Sequence, residues 1–138
     1  MDAHRADAVV AAAVGKGARA LGFGQGLFYL LSGVWPLLHA ASFVVVTGPK
    51  TDFWLAQTVG ALLAVSGAGF LGAAWRDRLT PEVRFIAAAQ AGVLALVDIV
   101  FVGRGRIAPI YLADAVVELA LVAGWVGLTW RERAACNR

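Results

Sequence analysis

The sequence predicts an all-α integral membrane protein, a bundle of four transmembrane helices, on three observations. Of the 138 residues 60% are apolar and only 15% charged, and the mean hydropathy is +0.74, too apolar for a soluble domain of this length to hide in one core. The apolar residues fall in four blocks, about 21–46, 53–75, 84–103 and 109–130, each long enough for the roughly 20 helical residues that cross a ~30 Å hydrocarbon core. The joins between them, TGPKTD, RDRLTPEVR and GRGRIAP, are short and rich in the glycine, proline and charge that end helices.

Residues 1–20 lack the basic start and long apolar run of a cleavable signal, so they are expected to stay as a cytoplasmic tail. Within them, residues 6–20 form a short interfacial helix, extend the first span, or fray. Residues 21–131 make the bundle and 132–138 a second cytoplasmic tail, with no separate soluble domain. In the first span Gln25, Phe28, Ser32, Trp35 and His39 recur at spacings of three and four, which makes one polar stripe. Pro36 has no N–H, so the Ser32 carbonyl loses its helical partner and the span should kink toward that stripe. The second span opens on Gln57 and Thr58 and carries Gly60, Ala64, Ala68 and Gly72 at four-residue spacing. The third has Ala87, Ala91 and Ala95, then Asp98. Such lines of small residues let backbones approach closely in lipid, so the second and third spans are expected to meet along them, unless the lines serve a homo-oligomer. Gly22 and Gly26 do the same at the start of the first span. The fourth span places Tyr111, Asp114, Glu118 and Trp125 on one face.

Orientation follows from the basic residues. Arg5, Lys16, Arg19, Arg76, Arg78, Arg84, Arg131, Arg133 and Arg138 fall on one side, against Lys50, Arg104 and Arg106 on the other. The excess puts both termini in the cytoplasm and the TGPKTD and GRGRIAP loops outside. The basic balance then reflects topology and membrane lipids as partners. No basic stripe with interleaved aromatics points to nucleic acid. The single cysteine, Cys136, has no partner for a disulfide or a redox pair.

Polar groups inside the spans are the candidate site, because a carboxyl or amide in hydrocarbon is costly unless it is paired or faces a cavity. At 1.5 Å per residue, Asp98 and Asp114 lie about 8 Å from the outer ends of their helices, His39 about 12 Å and Glu118 about 14 Å. With Gln57 they belong to the outward half, and the inner half reads as almost purely apolar. The expected site is therefore an outward-opening pocket in which His39 faces Asp98, Asp114 and Glu118. Gln57, Tyr111 and Trp35 join its lining. Asp114 and Glu118, one turn apart, repel as like charges, so at least one is expected to be protonated, paired or bound to a ligand.

Such a layer suits binding of a small polar, cationic or amphiphilic ligand, or the uptake and release of protons during transport. Two other classes remain. One is an accessory or assembly subunit that docks its polar faces on a larger membrane complex. The other is a membrane enzyme with acid–base chemistry on a lipid or isoprenoid. No His-x-x-x-His or Glu-x-x-His spacing marks a metal site, and no haem, flavin or phosphate-loop fingerprint names a cofactor. The Gly22-x-Gly24-x-Gly26 pattern fits helix packing.

Around SFVVVTGPKTDFWLAQTVGALL, where a Thr-Gly-Pro-Lys-Thr-Asp turn leads into a Trp-Leu second span, the chain resembles small four-helix integral membrane proteins of bacteria, DoxX-like in outline. The resemblance implies a four-helix bundle in a bacterial inner membrane. It carries over no catalytic residues.

Overall fold

The computed structural model describes residues 2–136, with side chains at 9, 12 and 14–135. Five helices follow one another: α1 (Asp2–Leu38), α2 (Ala40–Thr47), α3 (Phe53–Trp75), α4 (Pro81–Gly103) and α5 (Tyr111–Cys136). The described residues contain no strand. Four of the helices are long and apolar enough to cross a membrane, in α1 through Val14–Leu38. Large apolar side chains such as Leu62, Val65, Val93, Leu96 and Val116 stand exposed on the outer faces, as lipid permits and water does not. The chain is an all-α, multi-pass membrane protein.

The N-terminal segment extends the first span. Helix α1 is continuous from Asp2, and it already packs at Val14 and Ala18, both buried, so residue 20 marks no boundary. Arg5, Arg138 and the side chain of Cys136, used above in the sequence argument, lie outside the described side chains. Pro36 lies inside α1, and the chain breaks three residues after it. Helix α1 ends at Leu38, and His39 leaves helical geometry (φ −142°, ψ 70°) to become the N-cap of α2. At the start of α4, Thr80 caps the helix by accepting from the Val83 N–H at 3.4 Å, with Pro81 in the first turn. Proline costs nothing there, because that N–H has no helical partner. The third span therefore begins three residues before Arg84.

The pairing of helices differs from the expectation. Helix α1 lies along α3, α4 along α5, and α1 against α5, while α3 scarcely touches α4. The glycines decide this, because they occur on both α1 and α3. Added Cβ atoms at Gly33 and Gly60 would each fall within 2.6 Å of the other helix's backbone, and the same holds for Gly67 against Gly26 and Leu30. That approach is closer than any residue with a side chain allows. Ala68 is exposed, and Gly72 meets only the Arg76 side chain. Ala87, Ala91 and Ala95 are fully buried, on the helix that packs against α5. Gly22 seats Leu79 and Ala74.

One core cluster, which includes Ala18, Tyr29, Phe70, Leu79, Ala87 and Trp125, lies toward the end of the bundle that holds the 76–80 loop. That end also carries Lys16, Arg19, Arg84, Arg131 and Arg133, and is called the basic end below.

Candidate functional site

The buried polar side chains form a column between α1, α4 and α5. Nearest the basic end, the Trp125 indole N–H donates to Gln25 Oε1 at 2.6 Å, and Gln25 Nε2 donates to the Ala87 carbonyl at 2.8 Å. Gln25 is completely buried, and every polar atom of its amide has a partner in a neighbouring helix. One turn along α1, the Tyr29 hydroxyl donates to Glu118 Oε2 at 2.8 Å. Both residues are only 1% exposed. One turn further along α5, the carboxyl groups of Asp114 and of Asp98 on α4 lie side by side. Asp98 is 6% exposed, and its Oδ2 is the one buried side-chain oxygen or nitrogen among the described residues without a hydrogen-bond partner. From Asp114 to Trp125 the column rises about 16 Å, half the thickness of the hydrocarbon core.

Helix periodicity builds this arrangement. Gln25 and Tyr29 are one turn apart on α1, and Asp114, Glu118 and Trp125 share one face of α5 at spacings of four and seven. Gln25 meets the backbone of a small residue, Ala87. Ala87, Ala91, Ala95 and Ala115 are buried around the polar side chains, so α1, α4 and α5 come close enough for side chains to bridge. The carboxyl groups of Asp98, Asp114 and Glu118 thus form one acidic cluster, capped on the basic-end side by Tyr29.

The three acids are brought together as expected, and His39 is not among them. It is exposed, its Nδ1 lies 2.8 Å from Ser42 Oγ, and it accepts from the Ser42 N–H at 3.2 Å. Trp35, 37% exposed, donates its indole N–H to the same Ser42 Oγ and packs edge-on against Phe43. The reason is the break at His39. Three-and-four spacing holds only along one continuous helix, and His39 lies beyond the end of α1. Gln57 is half-buried, and among the described residues no hydrogen bond joins it to the acids. Tyr111 sits at the far end of the bundle under the Lys50 ammonium, 5.0 Å from its ring centre, and Lys50 Nζ donates to the Thr47 carbonyl.

The expectation of a nearly apolar inner half is also corrected. Gln25 and Trp125 carry the polar column to the basic end, so the site is a line of groups and not a single layer. Tyr29 was missed altogether. Its signal was its place one turn after Gln25 on a face that also carries Ser32 and Pro36. A tyrosine reads as core unless its hydroxyl's partner on another helix is known.

No group of three or more His, Cys, Asp or Glu side chains placed to hold a metal ion occurs among the described residues. The cluster can do two things chemically. It can hold a proton shared between Asp98 and Asp114, and it can present several carboxyl oxygens, one of them unpartnered, to a cation. No family model, curated protein or solved structure matches the chain.

Proposed function

We propose that this chain is a bacterial inner-membrane protein with both termini in the cytoplasm. Its Asp98–Asp114–Glu118 cluster takes up and releases a proton in step with the movement of a small polar, cationic or amphiphilic ligand. The observation that carries the reading is Asp98 Oδ2, a buried carboxyl oxygen without a partner beside a second carboxyl group. A polar atom stranded in hydrocarbon costs stability, so its retention points to use. The test uses proteoliposomes with a trapped pH-sensitive dye and tetraphenylphosphonium as the probe cation. Wild type should pass protons when the probe is on the opposite side, and Asp98→Asn should not. Equal fluxes from the two proteins would sink the proposal.

The orientation has its own test. Cysteine introduced at Thr51 or Gly105 should react with an impermeant thiol reagent added to intact cells, whereas native Cys136 should react only after lysis. Labelling of Cys136 in intact cells would invert the assignment.

A second reading, docking onto a larger membrane complex, is supported by one feature. Trp35, His39 and Ser42 form a polar group on the outside of the bundle, at the α1–α2 break.

A further inference from the structure

Between α4 and α5 at the basic end lies a cavity of about 510 Å³, within the ~300–1,000 Å³ range of small-molecule sites. Its walls are apolar. Phe85 and Trp130 are more than two-thirds exposed, Val126 is nearly half exposed, and Ala88 lies between them. Its rim is charged: Arg84 on α4 is paired to Glu132 on α5, and Arg133 is free of any ion pair among the described residues. The floor is Trp125, the indole that holds Gln25.

We propose that this groove binds one anionic phospholipid from the surrounding leaflet, its phosphate at Arg84 and Arg133 and an acyl chain along Phe85, Ala88 and Val126. Three observations point to that occupant. First, the groove begins at the first turn of α4 and the last turns of α5, the depth at which headgroups meet the hydrocarbon. Second, its exposed apolar walls open sideways, where the only solvent is lipid. Third, two arginines against one glutamate leave positive charge at the mouth, and Arg84 is already fixed by donating Nε to the Leu79 carbonyl at 2.9 Å. Arg84 thus presents a pre-oriented guanidinium, while Arg133 has its donors available for the planar, bidentate contact that phosphate favours. A lipid seated here would press on Trp125, and through it on Gln25 and the end of the polar column. The inference rests on the membrane reading of the chain and not on proton transport.

Native mass spectrometry of the full chain, titrated with phosphatidylglycerol or phosphatidylcholine in detergent, reads this directly. Wild type should retain one phosphatidylglycerol per chain, preferred over phosphatidylcholine by about tenfold. Arg133→Gln should weaken that retention about fivefold, the effect of one basic side chain at an anionic surface, and Arg133→Lys, which keeps the charge but not the bidentate fork, should fall between the two. Val126→Trp, which fills the groove from its lipid-facing side, should abolish it. The proposal is overturned if Arg133→Gln and wild type retain phosphatidylglycerol equally, or if the two lipids bind alike. A lipid-free dimer that Val126→Trp disrupts would overturn it in favour of a second copy in the groove.

Discussion

Gly33→Ala should destabilise the bundle by about 3 kcal/mol, the upper end of what overpacking a tight site costs. A Cβ at Gly33 would lie 2.3 Å from the Gly60 carbonyl oxygen and 2.5 Å from the Ala64 nitrogen. Both atoms are backbone of α3, so no rotamer change relieves the clash and the two helices must separate. In lipid the loss is not recovered elsewhere, because close backbone packing is itself the force that holds the pair. Thermal unfolding in mild detergent, followed by tryptophan fluorescence, should show a midpoint lower by on the order of 10 °C. Gly69→Ala on α3 is the control. Nothing lies within 4 Å of its added Cβ, so it should leave the midpoint unchanged or raise it slightly through better helix propensity. If Gly33→Ala melts with wild type, α1 and α3 are not held by this contact.

Glu118→Gln should leave the fold intact and abolish proton movement in the proteoliposome assay. The amide oxygen can still accept from the Tyr29 hydroxyl, so stability should stay within about 1 kcal/mol of wild type, the scale of a hydrogen bond between membrane helices. An amide cannot take up or release a proton near neutral pH, so a flux that depends on this group falls to background. Glu118→Leu is a different lesion, since it strands the Tyr29 hydroxyl in a site that is 1% exposed. It should cost roughly 1 kcal/mol or more. Adding Tyr29→Phe to Glu118→Leu removes both partners and should recover most of that stability, a double-mutant cycle that isolates the pair. Normal flux in Glu118→Gln would reduce Glu118 to a structural tie between α1 and α5. A Glu118→Leu/Tyr29→Phe protein no more stable than Glu118→Leu would show that the hydrogen bond is not what the acid contributes.

The acids were legible in the sequence because hydrocarbon makes them conspicuous. Asp98, Asp114 and Glu118 stand out in apolar runs, and arithmetic along each helix put all three in the outward half. Their hydrogen-bonding neighbours were harder to read. Tyr29 carries a mostly apolar ring, and nothing local distinguishes it from Phe28 until Glu118 is known to face it at 2.8 Å. His39 illustrates the opposite error. A polar residue at the right spacing was placed on the stripe, but the helix that defines the stripe ends one residue earlier. His39 instead caps α2 with its own side chain.

The class of the protein was legible from its residues alone. Length and composition of four apolar segments suffice for that, because the cost of burying charge or leaving backbone unpaired in lipid is large and local to each segment. The second span was legible to the residue, Phe53–Trp75, since turn and charge residues bound it on both sides. Which helices meet depends on packing in three dimensions. Gly60 on α3 was visible in a line of small residues with Ala64, Ala68 and Gly72, but such a line is compatible with any neighbour, and Gly67, which also meets α1, lies off it. The choice of α1 over α4 depended on Gly26 and Gly33 lying opposite in register. The polar column follows from that choice. Once α1 lies between α3 and α5, Gln25 and Tyr29 reach Trp125 and Glu118, and contacts across 89 to 100 residues of chain are set by that packing, which no local pattern encodes.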